Sequence, residues 1–473
     1  MSIAKKSLIN DILLNDTICA PCTQLGGAIA VIRISGPCAI LSVDGIFKSV
    51  KNIPLKERKT HTISFGKIYT LTNEIVDEVV VSLFKGPYSY TGEDIVEISC
   101  HGSRYIVHTI LEMLLSNGCR MAEPGEFTRR AFLNGKMDLS QAEAVADLIS
   151  CDSAASHRIA MNQMRGLFSK QLKTLRDQLL HLTSLVELEL DFSDHEELEF
   201  ANRSELKKIA DEVYSVISKL VDSFRLGNAL KNGIPVAIIG QTNAGKSTLL
   251  NRLLGDDRAI VSDVHGTTRD VIEDTINISG ITFRFIDTAG IRCTSDPVES
   301  MGIEKSFQKI DQAEIILWVI AEEQSNTPLV VQEILEAVTD KRVVLLFNKS
   351  DLLSDTSRAT LSEEYEKIDA ERLYISAKSG EGIAELEKLL IEIADLPKYS
   401  SDDIVINNIR HYEALQNAQS SIERVQRGLE FGISNDFVSQ DLRECVHHLS
   451  DIVGEVSTDS VLQNIFKNFC IGK

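Results

Sequence analysis

Pro235-Val-Ala-Ile-Ile239 runs directly into Gly240-Gln-Thr-Asn-Ala-Gly245-Lys246-Ser247. A short apolar run rich in β-branched residues suits a buried strand. The octapeptide matches G-x-x-x-x-G-K-[ST] and lies between that strand and a predicted helix, the setting a phosphate-binding loop requires. Its glycines let backbone N–H groups wrap phosphate oxygens, and the helix N-terminus adds the positive end of its dipole. In such a loop, spanning Asn243, Ala244, Gly245, Lys246, Ser247 and Thr248, Lys246 reaches the β- and γ-phosphates. The Ser247 hydroxyl ligates Mg2+.

Working outward, further apolar runs follow at Phe283-Arg-Phe-Ile286, Ile315-Ile-Leu-Trp-Val-Ile320, Val343-Val-Leu-Leu-Phe347 and Arg372-Leu-Tyr-Ile375. Helical stretches separate several of them, the pattern of a parallel sheet covered by helices. Thr275 to Ile278, Ser279-Gly280 and Ile281 onward predict a hairpin within it.

Three more motifs fall at strand ends, where ligands of such sheets bind. In Asp287-Thr288-Ala289-Gly290 the acid holds Mg2+ through water and the glycine offers its N–H to a γ-phosphate. In Asn348-Lys349-Ser350-Asp351 the aspartate accepts the ring N–H and the exocyclic amine of guanine, which adenine cannot supply. In Ser376-Ala377-Lys378 the Ala377 N–H meets the guanine carbonyl. Together with the phosphate loop these imply a GTP site and GTP hydrolysis. Gly266-Thr267-Thr268-Arg269-Asp270 fits the remaining switch, a threonine hydroxyl completing the Mg2+ shell while the γ-phosphate is present. Ile291 stands where Ras-like enzymes carry the glutamine that positions water, so another group must do this. Glu299 is the candidate on the same loop.

Before this region, Gly27 to Ile34, Ile75 to Leu83 and Asp94 to Ser99 predict strands. Tyr105 to Ser116 places Ile106, Val107, Ile110, Leu111, Leu114 and Leu115 on one helical face, giving a compact α+β domain. From Phe132 the pattern is helical, through Leu139–Ile149 and Leu167–Leu190, an acidic junction at 191–197, and a long stretch to Ala229. After Pro397 two stripes appear: Ala414, Ala418, Ile422, Val425 and Leu429, then Val438, Leu442, Val446, Leu449 and Val453. Helical flanks on both sides predict that the α/β domain is inserted into one helical domain.

The 473 residues suggest roughly three domains. Lys and Arg number 49 against 69 Asp and Glu, a net charge of −20. This excludes a surface that binds nucleic acid everywhere, though not a local basic patch. Such a patch is offered by Arg158, Arg165, Lys170, Lys173 and Arg176, which occur at helical spacing with no acidic residue between His157 and Arg176; a solvated helix face is the alternative. No run approaches the ~20 apolar residues of a membrane span. The first ten residues lack an apolar stretch with a cleavage site, so a cytoplasmic protein is expected. Nine scattered cysteines argue against a disulfide scaffold, and Cys19-Ala-Pro-Cys22 is expected to be an N-terminal loop.

Gly240 through Asn251, Gly266 through Asp270, Pro124-Gly-Glu-Phe-Thr-Arg-Arg-Ala-Phe-Leu-Asn-Gly-Lys136 and the ending Cys470-Ile-Gly-Lys473 resemble motifs of the tRNA modification GTPases called MnmE or TrmE, over nearly the whole chain. The resemblance implies a multidomain fold. An α+β N-terminal tetrahydrofolate-binding and dimerisation domain covers 1–131. A discontinuous all-α helical domain covers 132–230 and 397–473, and a Ras-like α/β P-loop G domain is inserted at 231–396. It further implies a homodimer that joins a flavoprotein, MnmG, in a heterotetramer. Together they place an aminomethyl-type group on C5 of the wobble uridine of certain tRNAs, using a tetrahydrofolate derivative (5-formyl- or 5,10-methylene-tetrahydrofolate).

Residue by residue, the resemblance implies K+ bound by Asn243 and by carbonyls near Ser262, Val264 and Thr267. Thr268 is implied as the second Mg2+ ligand and Glu299 as the water-orienting glutamate. Arg33, Glu93, Lys136 and Lys473 are implied to line the folate pocket, and Cys470 to serve the modification rather than GTP hydrolysis. Cys22-Thr-Gln-Leu-Gly-Gly27 departs from the family's Thr-Pro-x-Gly-x-Gly-Gly by a glycine and a basic residue. Gln241-Thr242 replaces the common Arg-Pro or Lys-Pro.

Two alternatives stay open. A ribosome-assembly GTPase would share the switch chemistry, but such relatives carry a second G domain or a KH domain, and neither is evident. A folate- and GTP-binding conformational switch, whose partner carries all the modification chemistry, is compatible with the lack of an evident nucleophile and base pair in the first 130 residues.

Overall fold

The computed structural model describes residues 16–151, 153–191, 203–241, 243–255, 274–286, 312–321, 341–366, 368, 370–394, 403–456, 458–467, 469 and 472. The chain separates into two compact units. One joins Met1–Ser150, Ala160–Ile217 and Ala414–Lys473; the other joins Cys151–Ile159 and Ser218–Glu413.

In the first unit, seven strands form one sheet: β1 (Thr17–Pro21), β2 (Ile29–Ser35), β3 (Phe47–Ser49), β4 (Thr62–Tyr69), β5 (Ile75–Phe84), β6 (Ile95–His101) and β7 (Cys119–Met121). Their order is β3-β4-β5-β6-β2-β1-β7, antiparallel except for the parallel β1–β7 pair. Helices α1 (Ala39–Asp44) and α2 (Arg104–Ser116) cover a face built from Ile32, Ile34, Val79, Val81, Val96 and Ile98. On α2, Val107, Ile110 and Leu114 are buried and Ile106 and Leu111 pack beside them. Leu115 is a correction: it is exposed, because it lies a further 100° round the helix from Leu114. Cys19 is a second correction. It is fully buried inside β1 rather than in a loop, since Cys behaves as a small hydrophobe.

Helices α3 (Glu126–Leu133), α4 (Leu139–Ser150), α5 (Ala154–Met164), α6 (Leu167–Asp191) and α7 (Arg203–Asn232) follow. The basic stretch therefore does not lie on one helix. Gly166, at φ +77°, separates Arg158 on α5 from Lys170, Lys173 and Arg176 on α6, with Arg165 in the turn.

The second unit holds a six-stranded sheet of β8 (Ile234–Ile239), β9 (Asp274–Ile278), β10 (Ile281–Phe285), β11 (Ile315–Ile320), β12 (Arg342–Phe347) and β13 (Glu371–Tyr374), in the order β13-β12-β11-β8-β10-β9. Only β9 runs antiparallel, as the arm of the β9–β10 hairpin. Every residue of β11 is buried, yet period-2 alternation sends them to opposite faces. Ile315, Leu317 and Val319 meet helices α8 (Lys246–Leu254) and α10 (Ile383–Ala394) through Leu249, Leu253, Leu386 and Leu390. Ile316, Trp318 and Ile320 pack toward Leu361 of α9 (Asp355–Glu364) and Tyr365. Burial on both faces explains why these strands are continuous apolar runs.

Helices α11 (Ile409–Phe431), α12 (Asn435–Val453) and α13 (Asp459–Lys467) complete the chain. Four helices of the first unit share one device, buried residues alternating at three- and four-residue steps. These are Leu172, Leu175, Leu179, Leu182 and Val186 on α6; Leu206, Ala210, Val213 and Ile217 on α7; Leu415, Ala418, Ile422, Val425 and Leu429 on α11; and Val438, Leu442, Cys445, Leu449 and Ile452 on α12. A stripe averaging 3.5 residues keeps one seam facing its partners. The predicted α12 stripe is corrected at two places, Cys445 and Ile452 replacing Val446 and Val453, which are only half-buried. A 3.5-residue seam selects 445, and the Cys445 thiol donates to Ala418 O across the seam. At the rim, Gln426 reaches Asp211, Arg424 pairs with Asp441, and Arg443 pairs with Glu187. Among the described residues no helix is long and apolar enough to cross a membrane.

Candidate functional site

The second unit brings the described nucleotide motifs together at the C-terminal ends of β8, β12 and β13. Gly245 caps the start of α8 at φ +102°, and a Cβ there would lie 2.1 Å from Asn348 Nδ2. Only glycine satisfies both the dihedral and the close approach. Asn243 sits in the left-handed region at φ +63°, which Asn tolerates better than other side chains. Lys246 donates from Nζ to Gly240 O at 2.7 Å and Gln241 O at 2.8 Å, which holds its ammonium over the loop. Ser247 and Thr248 lie in the first turn of α8, the end of a helix whose positive dipole favours an anion.

Asn348 is the hinge pin of this arrangement. It is 4 % exposed; its Nδ2 donates to Ala244 O at 2.7 Å, and its Oδ1 accepts from Ala377 N–H at 3.0 Å. One side chain therefore ties the phosphate loop to the Ser376–Lys378 loop. The Ala377 amide expected to face a guanine carbonyl is held by Asn348. Lys349 adopts φ +62°, a conformation that costs an L-residue roughly 1–2 kcal/mol and persists only where its surroundings impose it. Ser350 N–H donates to Ile375 O at 3.0 Å and Ser376 N–H to Glu381 O at 2.9 Å, while the Asp351 side chain faces solvent.

Sequence reasoning missed Arg252. From α8 it donates Nε to Ala377 O at 3.3 Å and Nη2 to Lys378 O. The motif that begins at Gly240 ends at Asn251, one residue short of it. The expected groups Ser262, Val264, Thr267, Thr268, Asp287, Thr288, Ala289, Gly290 and Glu299 lie outside the described residues, as do Cys470 and Lys473.

In the first unit, Arg33, Glu93 and Lys136 converge on the loop between β5 and β6. Arg33 pairs with Glu97 at 2.8 Å across the β2–β6 register, and its guanidinium lies 5.4 Å from the Tyr90 ring centroid and 5.6 Å from that of Phe127. Glu93 accepts from Ser35 Oγ at 2.7 Å and from Arg130 at 3.2 Å. Lys136 donates to Pro87 O at 2.9 Å, and its neighbour Asn134 donates to Thr91 O at 2.7 Å. Burial raises the pKa of Tyr90, outweighing its hydrogen bond to Thr128 and the charge of Arg33.

Beneath this cluster lies an ion network that the sequence did not reveal. Arg130, 1 % exposed, contacts Asp16, Glu93 and Glu126, and Arg120 also pairs with Asp16 and Glu126. Burial alone would raise the Glu126 pKa. The hydrogen bonds from Arg120 and the Glu123 amide, with the charges of Arg130 and Arg120, overcome it and hold the carboxyl below its ordinary value.

The C-terminal segment returns to the same place. Phe466 and Phe469 pack with Leu139 and Ala142, and Gly472 seats against β1. A Cβ on Gly472 would lie 2.4 Å from Pro21 O and 3.0 Å from Cys22 Cα, and the Cys22 thiol donates to Gly472 O at 3.1 Å. Pro21 and Ala20 are registered with Ile32 and Arg33 of β2, so Gly472 lies one strand away from Arg33.

Among known families, residues 17–136 match the model described as the GTP-binding protein TrmE N-terminus, and residues 139–470 match the MnmE helical domain model. The tRNA modification GTPase MnmE of Bacteroides fragilis (strain YCH46) is 58% identical over 464 residues, covering 97% of this chain and 99% of that protein. The MnmE of Flavobacterium johnsoniae is 50% identical over 464 residues, with the same coverage. Among solved structures, the G domain of the T. maritima FeoB iron transporter is 24% identical over 34% of this chain and 99% of its own, with a TM-score of 0.26. The chain belongs to the MnmE, or TrmE, family of tRNA modification GTPases, GTP hydrolases that act in tRNA modification.

Proposed function

We propose that this GTPase is a potassium-dependent, cytoplasmic homodimer working with an FAD-dependent partner, MnmG, in a heterotetramer. The complex adds an aminomethyl-type group, such as carboxymethylaminomethyl, to C5 of wobble uridine U34 in certain tRNAs. Its domains run over 1–131, 132–230, 231–396 and 397–473. The observation that carries the proposal is the seating of Gly472 on Pro21 and Cys22. It seats Gly472 on β1, the strand next to the one that bears Arg33.

The donor set of the first unit fits a tetrahydrofolate derivative. Arg33 and Lys136 are cations suited to a carboxylate tail, Glu93 is a carboxylate suited to pterin N–H donors, and Tyr90 and Phe127 offer flat apolar surface beside them. When bound, the folate supplies the one-carbon unit. Lys473 completes its charge neutralisation, and Cys470 serves the modification step. Arg130 and Ser35 hold the Glu93 carboxyl in place.

In the second unit, the amides of Asn243–Thr248 and the Lys246 ammonium hold the β- and γ-phosphates. Ser247 and Thr268 ligate Mg2+, with Asp287 reaching it through water. Thr288 and Ala289 precede Gly290, whose N–H meets the γ-phosphate. Asp351 reads the N–H edge of guanine, flanked by Asn348, Lys349 and the Ser376–Lys378 loop. Asn243, with carbonyls near Ser262, Val264 and Thr267, binds K+ where transition-state charge builds, as an arginine finger does elsewhere. Glu299 orients the attacking water that Ile291 cannot.

Steady-state GTP hydrolysis by the full chain in KCl, against NaCl at equal ionic strength, tests the assignment. The expected result is much faster turnover in KCl. Equal rates would remove the Asn243 ion site.

A further inference from the structure

We propose that Arg252 is a specificity-positioning residue, fixing the guanine-reading loop from the phosphate-binding helix. Lys246 and Arg252 share α8 and are separated by about 9 Å along its axis. The Arg252 guanidinium donates to the carbonyl oxygens of two consecutive residues, Ala377 and Lys378. The N–H of the first of them is gripped from the other side by Asn348 Oδ1 at 3.0 Å. The Ser376–Lys378 loop is thus clamped on both edges of one short backbone segment, and both clamps also belong to elements that hold the phosphate loop. The planar fork of arginine suits two adjacent carbonyls; an ammonium presents a single point of charge.

The clamp matters because telling guanine from adenine depends on a donor held where the C6 carbonyl arrives, and since Asn348 takes the Ala377 N–H, the clamp sets the position of the next amide of the loop, that of Lys378. A loop ordered before binding loses less of its interaction energy to being immobilised. Binding energy from the phosphates and selectivity for the base are therefore joined through one helix. The proposal rests on the assignment of Ser376–Lys378 to the base, and it adds a residue that contacts neither base nor phosphate.

The test compares wild-type, Arg252→Met and Arg252→Lys full-length chains for the affinity of GTP, inosine triphosphate and 6-thioguanosine triphosphate, with KM and kcat for GTP. The thio analogue changes only the C6 acceptor, and inosine lacks only the exocyclic amine that Asp351 reads. In Arg252→Met, GTP affinity and KM should worsen about tenfold, the scale of one charged hydrogen bond, with kcat unchanged. Its preference for GTP over the thio analogue should shrink while its preference for GTP over inosine triphosphate stays. Arg252→Lys should fall between, and it replaces the methionine chain should that one fail to fold. Equal weakening toward all three nucleotides, or wild-type ratios in Arg252→Lys and Arg252→Met alike, overturns the proposal.

An Asp351→Asn chain separates the two levels. It should exchange GTP for xanthosine triphosphate, whose C2 carbonyl needs a donor. No exchange sinks the assignment of the base site and the Arg252 proposal with it. Exchange accompanied by unchanged ratios in the Arg252 chains sinks the Arg252 proposal alone.

Discussion

Gly472 shows how much one residue without a side chain can hold. It sits at φ +98°, with Pro21 O and Cys22 Cα occupying the space a Cβ would need. An alanine there must push the C-terminal segment off β1. Gly472→Ala should therefore leave GTP hydrolysis near wild type while weakening 5-formyl-tetrahydrofolate binding about tenfold, equivalent to about 1.4 kcal/mol. Calorimetric titration of the full chain measures this, and unchanged folate affinity would separate the seating of Gly472 from the folate site. At the same scale, Asn348 illustrates what a motif conceals. Its place in Asn348–Asp351 was legible because an aspartate suited to the N–H edge of guanine follows three residues later. Its two hydrogen bonds to Ala244 and Ala377 join residues more than a hundred and about thirty positions apart, respectively, a relation no local pattern encodes.

At the scale of elements, α3 begins with a buried carboxylate, Glu126, facing Arg120 and Arg130. Because its folded pKa is depressed, Glu126 adds stability above its ordinary value, about 4.3, and that contribution disappears as pH falls through the lowered value. Glu126→Gln should thus lower the melting temperature at pH 7, with the gap to wild type closing below about pH 4. A gap that stays constant across this range, followed by circular dichroism, would mean that Glu126 acts through shape rather than charge. The helices around it teach a related lesson. The stripe on α11 was legible because its residues are plainly apolar. On α12, Cys445 was passed over, and the stripe slid one residue to Val446. Steps of three and four residues are both compatible with a helix, so only the partner helix decides which of two neighbours faces inward.

For the whole molecule, a charge of −20 confines any nucleic-acid contact to local basic surface. Lys170 and Lys173 are exposed on α6, whereas Arg176 is half-buried and engaged by Glu455. The double change Lys170→Glu and Lys173→Glu should weaken tRNA binding and reduce its salt slope by about one for each phosphate that a lysine no longer neutralises, with GTP hydrolysis unaltered. Fluorescence anisotropy over a salt series checks this; an unchanged slope would make this face a solvated one.

The sequence by itself determined the parallel sheet, the phosphate loop, the guanine motifs and the family, because each is written in contiguous residues whose spacing the backbone geometry dictates. Strands buried on both faces must be apolar throughout, and phosphates demand glycine and lysine at set places. The tertiary structure alone decided the rest. It set Arg252 against the Ser376–Lys378 loop, buried Arg130 among three carboxylates, moved the α12 seam to Cys445, and returned Gly472 to the edge of β1. These contacts join positions far apart in the chain. They arise from packing, where a residue's role is set by what lies opposite it rather than by what stands beside it in sequence.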